Sequence, residues 1–320
     1  MAMQVIPQRI GVDVSKLELV YCVEGETAVQ ICPNTPQAIR AWLRSFSSPA
    51  DFALEATNDF HYALALEAHR RGHRVYLLNG YRLNRYRDSI GGRAKTDASD
   101  ARLLVRYLAH EQDELHPWTP PPAAYRRLQQ LLRRRAQLVQ ARVALQQSLQ
   151  GLQTVPGLKV AWKALLQRLN KLDALLQTQI HAALAETGWD ASSRRCQQIE
   201  GIGPLTGAGL AMTYHRGPFA DSDAFIAFLG MDVRVRDSGQ SRGRRKLTKQ
   251  GDPELRRLLY LAAMQAKSKP AWKAFYQRHI DRGLAPIQAI NVLARKLARV
   301  AFALMRNQTD YEPRIPCAQT

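Results

Sequence analysis

The sequence predicts a mixed α/β domain at the N-terminus followed by a mostly α-helical C-terminal region. Three observations support this fold class. Short apolar runs rich in β-branched residues alternate with amphipathic stretches before residue 110. The segment HPWTPPP at 116–122 interrupts both patterns, and beyond it leucine recurs at helical spacing. The 320 residues are enough for two domains, each with its own core.

The N-terminal elements follow in a recognisable order. Strands are predicted at residues 9–14, 17–24, 27–32, 52–56 and 73–79, and helices at 36–46, 60–71 and 97–110. The order β-β-β-α-β-α-β-α is typical of the ribonuclease H-like architecture, in which a mixed five-stranded sheet is flanked by helices. We therefore expect an α/β ribonuclease H-like domain over residues 1–115.

The rest of the chain divides at the prolines. Three consecutive prolines cannot donate backbone hydrogen bonds, so residues 116–122 are expected to form a linker. The leucine-rich stretch over 123–190 predicts a long helical hairpin or coiled coil, interrupted at Pro156-Gly157. Residues 191–320 are expected to form a helical domain with a Gly-Ile-Gly turn and helices at 253–267, 270–279 and 286–306.

The charge of the chain favours a nucleic-acid partner. Lys and Arg number 46 against 27 Asp and Glu, a formal net charge of +19, and such an excess binds polyanions through counterion release. Glycines between helices can also expose backbone N–H groups to a phosphate. The candidate contacts are Arg133, Arg134, Arg135, Gly201, Gly203, Arg242, Arg244, Arg245, Lys246 and Lys249. No secretory start or membrane-length apolar run is visible, so we expect a soluble, cytoplasmic protein without a membrane partner.

Four carboxylates in the first hundred residues are candidate ligands for a metal ion. Asp13 and Glu55 each interrupt an apolar strand, and Asp97 and Asp100 share one face at the start of a helix. If the two strands are neighbours, the four carboxylates converge and repel one another. A cation relieves that repulsion, and hard carboxylate oxygens suit Mg²⁺ or Mn²⁺. Two such ions stabilise the attacking and leaving oxygens of an in-line phosphoryl displacement.

Three of the four acids also have a simpler interpretation. Asp97 can cap the helix, Asp100 can add favourable charge to its first turn, and Asp13 can cap a turn. Glu55 in an apolar strand has no comparable structural role. The four residues in this order favour a metal-dependent enzyme that cuts nucleic acid.

These residues and their neighbours resemble a known family. The segments GVDVSK (11–16), LEAT (54–57) and KTDASDA (95–101) resemble the Asp-Glu-Asp-Asp motif of a bacterial insertion-sequence transposase family. That family includes the Piv-type DNA invertases, and its N-terminal domain is similar to the Holliday-junction resolvase RuvC. IEGIGPLTGAGL (199–210), FIAFLGM (225–231) and DSGQSRGRRKLTKQGD (237–252) resemble its C-terminal serine transposase domain, so nearly the whole chain is covered.

The resemblance implies roles for individual residues. Asp13, Glu55, Asp97 and Asp100 match the metal ligands, and Ser238 matches a serine that attacks DNA and forms a covalent protein–DNA intermediate. It further implies a tetramer, a dimer of dimers that combines the carboxylates of one protomer with the serine of another. Some members use a structured guide RNA from the element's flank, which pairs with donor and target DNA. Ser241 stands close to Ser238 and remains an alternative nucleophile.

Two other functions remain open. A junction resolvase or nuclease that uses metal-activated water needs the carboxylates but not Ser238. A non-catalytic nucleic-acid-binding protein needs neither, and it leaves Glu55 unexplained.

Overall fold

The computed structural model of the chain describes residues 7–56, 59–91, 96–149, 155–234 and 245–313, together with the backbone of 237–238 and 241–242. The chain divides into two units, Met1–Pro120 and Pro121–Thr320, and each is described by itself. Within these described segments, no helix combines the length and apolar character needed to cross a bilayer.

A five-stranded mixed sheet organises the first unit. Its strands are β1 (Arg9–Val14), β2 (Glu18–Val23), β3 (Val29–Pro33), β4 (Asp51–Glu55) and β5 (Arg74–Leu78). The spatial order is β3-β2-β1-β4-β5. The first three strands form an antiparallel meander, and β1–β4 and β4–β5 are parallel pairs. The mixed sheet expected from the sequence is therefore present.

Helices cover both faces of this sheet. They are α1 (Pro36–Arg44), α2 (Tyr62–Arg70), α3 (Gly80–Ser89) and α4 (Asp97–Glu111), the last followed by a short 3-10 helix at Gln112–Glu114. Side chains alternate along each strand. Ile10, Val12 and Val14 therefore pack in one core with α1 and α2. Ala53 of β4 packs with α3 and α4 on the opposite face.

Helix α3 was not predicted from the sequence. Leu83 is the one buried residue of this helix, and most of its other residues are polar. The helix nevertheless has a clear start, since the Asn79 side chain accepts a hydrogen bond from the Tyr81 amide at 2.8 Å. The element order thus contains two helices, not one, after β5.

The segment at 116–122 contacts the first unit through Trp118. The Trp118 amide donates to the Val75 carbonyl at 2.6 Å. Its ring meets Tyr62 and His69 edge to face, with centroids 5.9 and 6.1 Å apart. This part of the proline-rich segment is therefore attached to the sheet and α2.

The second unit is built from helices around one apolar core. These are α5 (Ala123–Ser148), α6 (Leu158–Thr187), α7 (Asp190–Gln197), α8 (Pro204–Tyr214), α9 (Ser222–Phe228), α10 (Pro253–Ala266), α11 (Pro270–Asp281) and α12 (Pro286–Asn307). Helix α8 is buried along most of its length, because nearly all its side chains are small or apolar. The C-terminal region is helical, as the sequence predicts.

Helices α5 and α6 pair through buried charge. Arg135 Nε lies 2.8 Å from Asp173 Oδ1, and these side chains are 14% and 11% exposed. Arg142 donates to Asn170 Oδ1 at 2.7 Å. The later residue of α5 meets the earlier residue of α6, so the two helices run antiparallel.

A short two-stranded ribbon between α9 and α10 was not expected. Its base is formed by β6 (Val233–Arg234) and β9 (Lys246–Leu247), and β7 (Asp237–Ser238) pairs with β8 (Ser241–Arg242) farther along. The two ends of the ribbon are flanked by Gly230 and Gly251, which lie in close contact. A Cβ on Gly230 would lie 2.3 Å from the Gly251 nitrogen, so only glycine fits there.

Candidate metal centre

Strands β1 and β4 place two carboxylates side by side. In their parallel register Gly11 lies beside Ala53 and Val12 beside Leu54. The next residues along the two strands are Asp13 and Glu55. By alternation, both side chains belong to the face that α4 covers.

Helix α4 comes close to this face because β1 carries a glycine. A Cβ on Gly11 would lie 2.2 Å from the Ala101 carbonyl oxygen and 2.5 Å from the Val105 nitrogen. The missing side chain lets the helix backbone lie directly on the strand. Asp97 and Asp100, in the first turn of α4, are thereby brought towards Asp13.

The capping roles considered for Asp97 and Asp13 belong to other residues, whereas Asp100 does lie in the first turn of α4. Thr96 caps α4: its Oγ1 accepts from the Ser99 amide at 3.1 Å, and Ser99 Oγ accepts from the Thr96 amide at 2.9 Å. The turn after β1 is closed by Ser15, whose Oγ accepts from the Glu18 amide at 3.0 Å. Asp97 is therefore not the helix cap, and Asp13 does not cap the turn.

Three of the four predicted ligands form a compact cluster. One carboxylate oxygen each from Asp13, Glu55 and Asp100 lies within 4.8 Å of the others. Asp100 is buried, and Asp13 and Glu55 are half-buried. Asp97 is exposed at the edge, but its charge acts on Asp13. All four residues belong to the first unit.

The cluster makes ionisation of Asp13 unfavourable. Burial is the largest cause, and the negative charges of Asp97, Asp100 and Glu55 add to it. Together they raise the pKa of Asp13 from 3.8 to about 6, against the opposing hydrogen bond from the Val14 amide. A bound hard cation would stabilise the ionised form of Asp13 and reduce the repulsion among the clustered carboxylates.

Residues of helix α3 contact two of these carboxylates, those of Asp100 and Glu55. Arg87 Nη2 donates to Asp100 Oδ1 at 2.6 Å, and the two side chains are only 11% and 8% exposed. At the other end of the helix, a Cβ on Gly80 would lie 2.4 Å from Glu55 Oε1. The Glu55 carboxylate thus rests against the N-terminus of α3, where the helix dipole favours negative charge.

The contact of Gly80 with Glu55 and that of Arg87 with Asp100 were not predicted from the sequence. In the sequence, the nearby residues Arg82, Arg85 and Arg87 indicate only a basic surface. The Asn79 cap followed by Gly80 was the one signal that a helix starts directly after β5.

The donor set fits a divalent ion of the Mg²⁺ type. All the clustered ligand atoms are carboxylate oxygens, and Mg²⁺ binds oxygen at about 2.0–2.1 Å. Ligand atoms on opposite sides of one ion are then about 4.2 Å apart, close to the 4.8 Å bound in the cluster. A pair of ions about 3.5–4 Å apart would also be compatible with the spacing of the ligand oxygens in this cluster.

The two candidate serines lie on the ribbon of the second unit. Ser238 and Ser241 are paired residues of β7 and β8, as are Asp237 and Arg242. Their side chains are outside the described part of the chain, as is the whole of Arg244. The two serines are thus direct register partners in the ribbon.

The basic candidates differ in their surroundings. Arg135 forms an ion pair with Asp173, so its guanidinium links α5 to α6. Arg133 pairs with Asp252, although its own side chain is 47% exposed. Arg134, Arg245, Lys246 and Lys249 are exposed.

The Gly-Ile-Gly turn lies between α7 and α8, as expected. Gly201 has a positive φ of 93°, and a Cβ there would lie 2.4 Å from the Ala262 carbonyl oxygen. Gly201 is therefore needed for packing against α10. Gly203 is exposed at the start of α8, with open space around it.

Comparison with known proteins gives two family matches. Residues 10–154 match a transposase model of the DEDD type named after the insertion sequence IS110. Residues 193–277 match a model described as transposase of the IS116/IS110/IS902 family. Together the two models match well over half of the chain.

Two of the curated proteins to which the chain is similar are aligned over nearly their whole length, and a third over part of it. The pilin gene-inverting protein of Moraxella lacunata is 26% identical, with 96% of this chain and 98% of that protein aligned. A probable family 20 transposase of Pseudomonas aeruginosa is 28% identical, with 95% and 98% aligned. An insertion element IS110 protein of Streptomyces coelicolor is 32% identical over 120 residues, which are 37% of this chain and 30% of that protein.

Proposed function

Because the chain belongs to the IS110/IS116 family of transposases, we propose that it is the site-specific recombinase of an insertion sequence and uses Mg²⁺ or Mn²⁺. Transposases cut and rejoin DNA, so donor and target DNA are its substrates. The observation that carries the metal-dependent mechanism is the cluster of Asp13, Glu55 and Asp100, whose ligand oxygens lie within 4.8 Å of one another.

The carboxylates hold the metal in this proposal, and Asp97 completes the set from the edge of the cluster. A bound divalent ion stabilises the negative charge that develops on the scissile phosphate and on the departing oxygen. Arg87 and Gly80 keep Asp100 and Glu55 in place, because each limits where its carboxylate can lie.

Ser238 is proposed as the nucleophile. Its Oγ forms a bond to phosphorus as the bond from phosphorus to the 3′ oxygen breaks. The hydroxyl proton leaves, and the 3′ oxygen ends as a hydroxyl group. Attack by another 3′ hydroxyl on the phosphoserine link reverses these changes and joins new strands. Each step exchanges one phosphodiester for another, so no energy source is consumed.

Basic residues near the serine are proposed to grip phosphates. Five basic residues follow Ser238 closely in the sequence: Arg242, Arg244, Arg245, Lys246 and Lys249. Charge-assisted hydrogen bonds from such groups stabilise a phosphate and its developing charge. Arg133 and Arg134 add a second exposed basic site on α5.

A structured guide RNA and a dimer-of-dimers tetramer are proposed as further partners. Both follow from the family resemblance. The net charge of +19 supports binding of more than one nucleic-acid strand. Loss of recombination on removal of the flanking RNA, and a tetrameric mass in solution, are the corresponding expectations.

A metal-dependent nuclease that uses water is the second candidate. The observation that favours it is that the carboxylate cluster is formed by residues of the first unit alone. In that mechanism neither serine takes part in cleavage.

A denaturing gel separates these functions. Purified protein is incubated with Mg²⁺, labelled element-end DNA and the flanking RNA, and the wild type is compared with Ser238→Ala, Ser241→Ala and Asp13→Ala. A protein–DNA band in the wild type and Ser241→Ala, absent from the other two variants, is expected. The opposite pattern for the two serines would assign the nucleophile to Ser241.

One control variant and two alternative outcomes make the gel decisive. Asp113 is an exposed acid outside the cluster, so Asp113→Ala is expected to behave as the wild type. Cleavage without any covalent band, retained in both serine variants and lost in Asp13→Ala, would replace the recombinase by the water-using nuclease. DNA binding without cleavage would leave only a binding protein.

A further inference from the structure

A cleft of about 390 Å³ opens in the second unit. It lies where the end of α8 and the following loop meet the last turns of α12. Its volume falls in the range of roughly 300–1,000 Å³ that is usual for small-molecule sites. Its walls are formed by Tyr214, His215, Gly217, Pro218, Phe219, Phe302 and Arg306.

One wall is an imidazole ring held in place from two sides. Trp189 stacks on His215 with centroids 5.0 Å apart and an interplanar angle of 4°. Ser192 Oγ lies 3.0 Å from His215 Nε2. Burial lowers the pKa of His215 below its usual 6.5, so the ring is neutral at pH 7. This wall therefore offers a fixed, uncharged aromatic surface.

The other walls are also aromatic and fixed by packing. Phe302 is buried and meets Tyr214 edge to face at 5.8 Å. Phe219 packs edge to face against Phe225 at 5.2 Å and against Phe228 at 5.5 Å. The rings thus form a preorganised apolar site that needs little rearrangement to accept a flat ligand.

A cation lies at the edge of the cleft. Arg306 is exposed, its guanidinium carbon is 5.9 Å from the Phe302 ring centroid, and Nη1 donates to the Ala220 carbonyl at 3.1 Å. The nearby acids are engaged elsewhere. Asp221 caps α9 through hydrogen bonds from two amides at 2.8 Å, and Asp223 forms an ion pair with Arg299.

We propose that this cleft binds a single unstacked nucleobase, with Arg306 contacting the adjoining phosphate. Aromatic faces beside a cation are the combination by which proteins hold single-stranded nucleic acid. A base within a duplex is stacked on both sides, so only a base at a single-stranded or junction position can enter. The inference rests on the proposed function, because it requires that the chain handles DNA or RNA.

The test measures binding without any cleavage step. The probe is a strand of about 12 nucleotides that carries one central 2-aminopurine and abasic sites at all other positions, compared with the fully abasic strand, so that no other base can enter the cleft. For the wild type, 2-aminopurine fluorescence changes on binding, and the abasic strand binds about tenfold more weakly. A ribose version of both strands shows whether DNA or RNA is preferred.

Two variants and a matched control address the cleft itself. Phe219→Leu keeps the apolar volume and removes the aromatic face, and it is expected to abolish the difference between the two strands. Arg306→Gln is expected to weaken binding of both strands about fivefold. Arg278 lies over the Phe275 ring at the same 5.9 Å and is also exposed, so Arg278→Gln is the control without effect.

The possible failures are distinguishable. Equal binding of the base-containing and abasic strands by the wild type would overturn the nucleobase cleft and leave the recombinase proposal standing. Equal loss in Arg278→Gln and Arg306→Gln would also overturn it, because the effect would then be general charge. If no nucleic-acid strand binds the wild type, the proposed function fails as well.

Discussion

Divalent-ion binding by the cluster is predicted to depend on pH through Asp13. The pKa of Asp13 is raised to about 6, and the ion binds only the ionised carboxylate. The ionised fraction is about 0.1 at pH 5 and about 0.9 at pH 7. The apparent affinity for Mg²⁺ or Mn²⁺ is therefore expected to be about tenfold weaker at pH 5 than at pH 7, and nearly constant above pH 7.

The assay is isothermal titration calorimetry of the full chain with Mn²⁺ in buffers of different ionisation enthalpy. At pH 6 the dependence of the binding enthalpy on the buffer is expected to report release of about half a proton per site. At pH 8 this release falls to nearly zero. Asp113→Asn, an exposed acid in the same unit, is expected to leave both values unchanged. The same affinity at pH 5 and pH 7, without proton release at pH 6, would refute the reasoning.

Three further predictions concern residues that position the proposed groups. Gly80→Ala is expected to weaken Mn²⁺ binding on the order of tenfold in calorimetry, because its Cβ, 2.4 Å from Glu55 Oε1, must displace that carboxylate; unchanged affinity would contradict this. Arg87→Gln leaves buried Asp100 unpaired and is expected to lower the free energy of unfolding in EDTA by about 3 kcal/mol. Mg²⁺ is expected to recover part of that loss in denaturant unfolding, and equal loss with and without Mg²⁺ would contradict it. Gly230→Ala is expected to abolish the covalent protein–DNA band but to leave Mn²⁺ affinity unchanged, and loss of both would indicate general unfolding.

Two acids of the carboxylate cluster could be singled out from the sequence because each interrupts a strong local pattern. Asp13 and Glu55 stand in strands that are otherwise apolar, and two-residue periodicity then assigns them to a face. The parallel register of β1 and β4, which brings them together, is a tertiary feature. It follows from the sequence only if the fold is assumed.

Other features left weaker signals. Helix α3 buries little apolar surface, so hydrophobic periodicity does not reveal it, and its contacts with Glu55 and Asp100 come from packing across the unit. The ribbon was missed because each of its strands is only two residues long. Such strands are too short for an alternating pattern to stand out.

The glycine contact at the base of the ribbon has a mechanical consequence. Ser238 lies eight residues beyond Gly230, and an extended strand of that length reaches at most about 26 Å. A tilt of about 10° at the base would then move the tip by up to about 4–5 Å. Reacting atoms must approach to about 3–3.5 Å, so such a tilt is as large as the approach itself. If Ser238 is the nucleophile, as proposed, its position relative to the phosphate would depend on how rigidly the chain is held at Gly230 and Gly251.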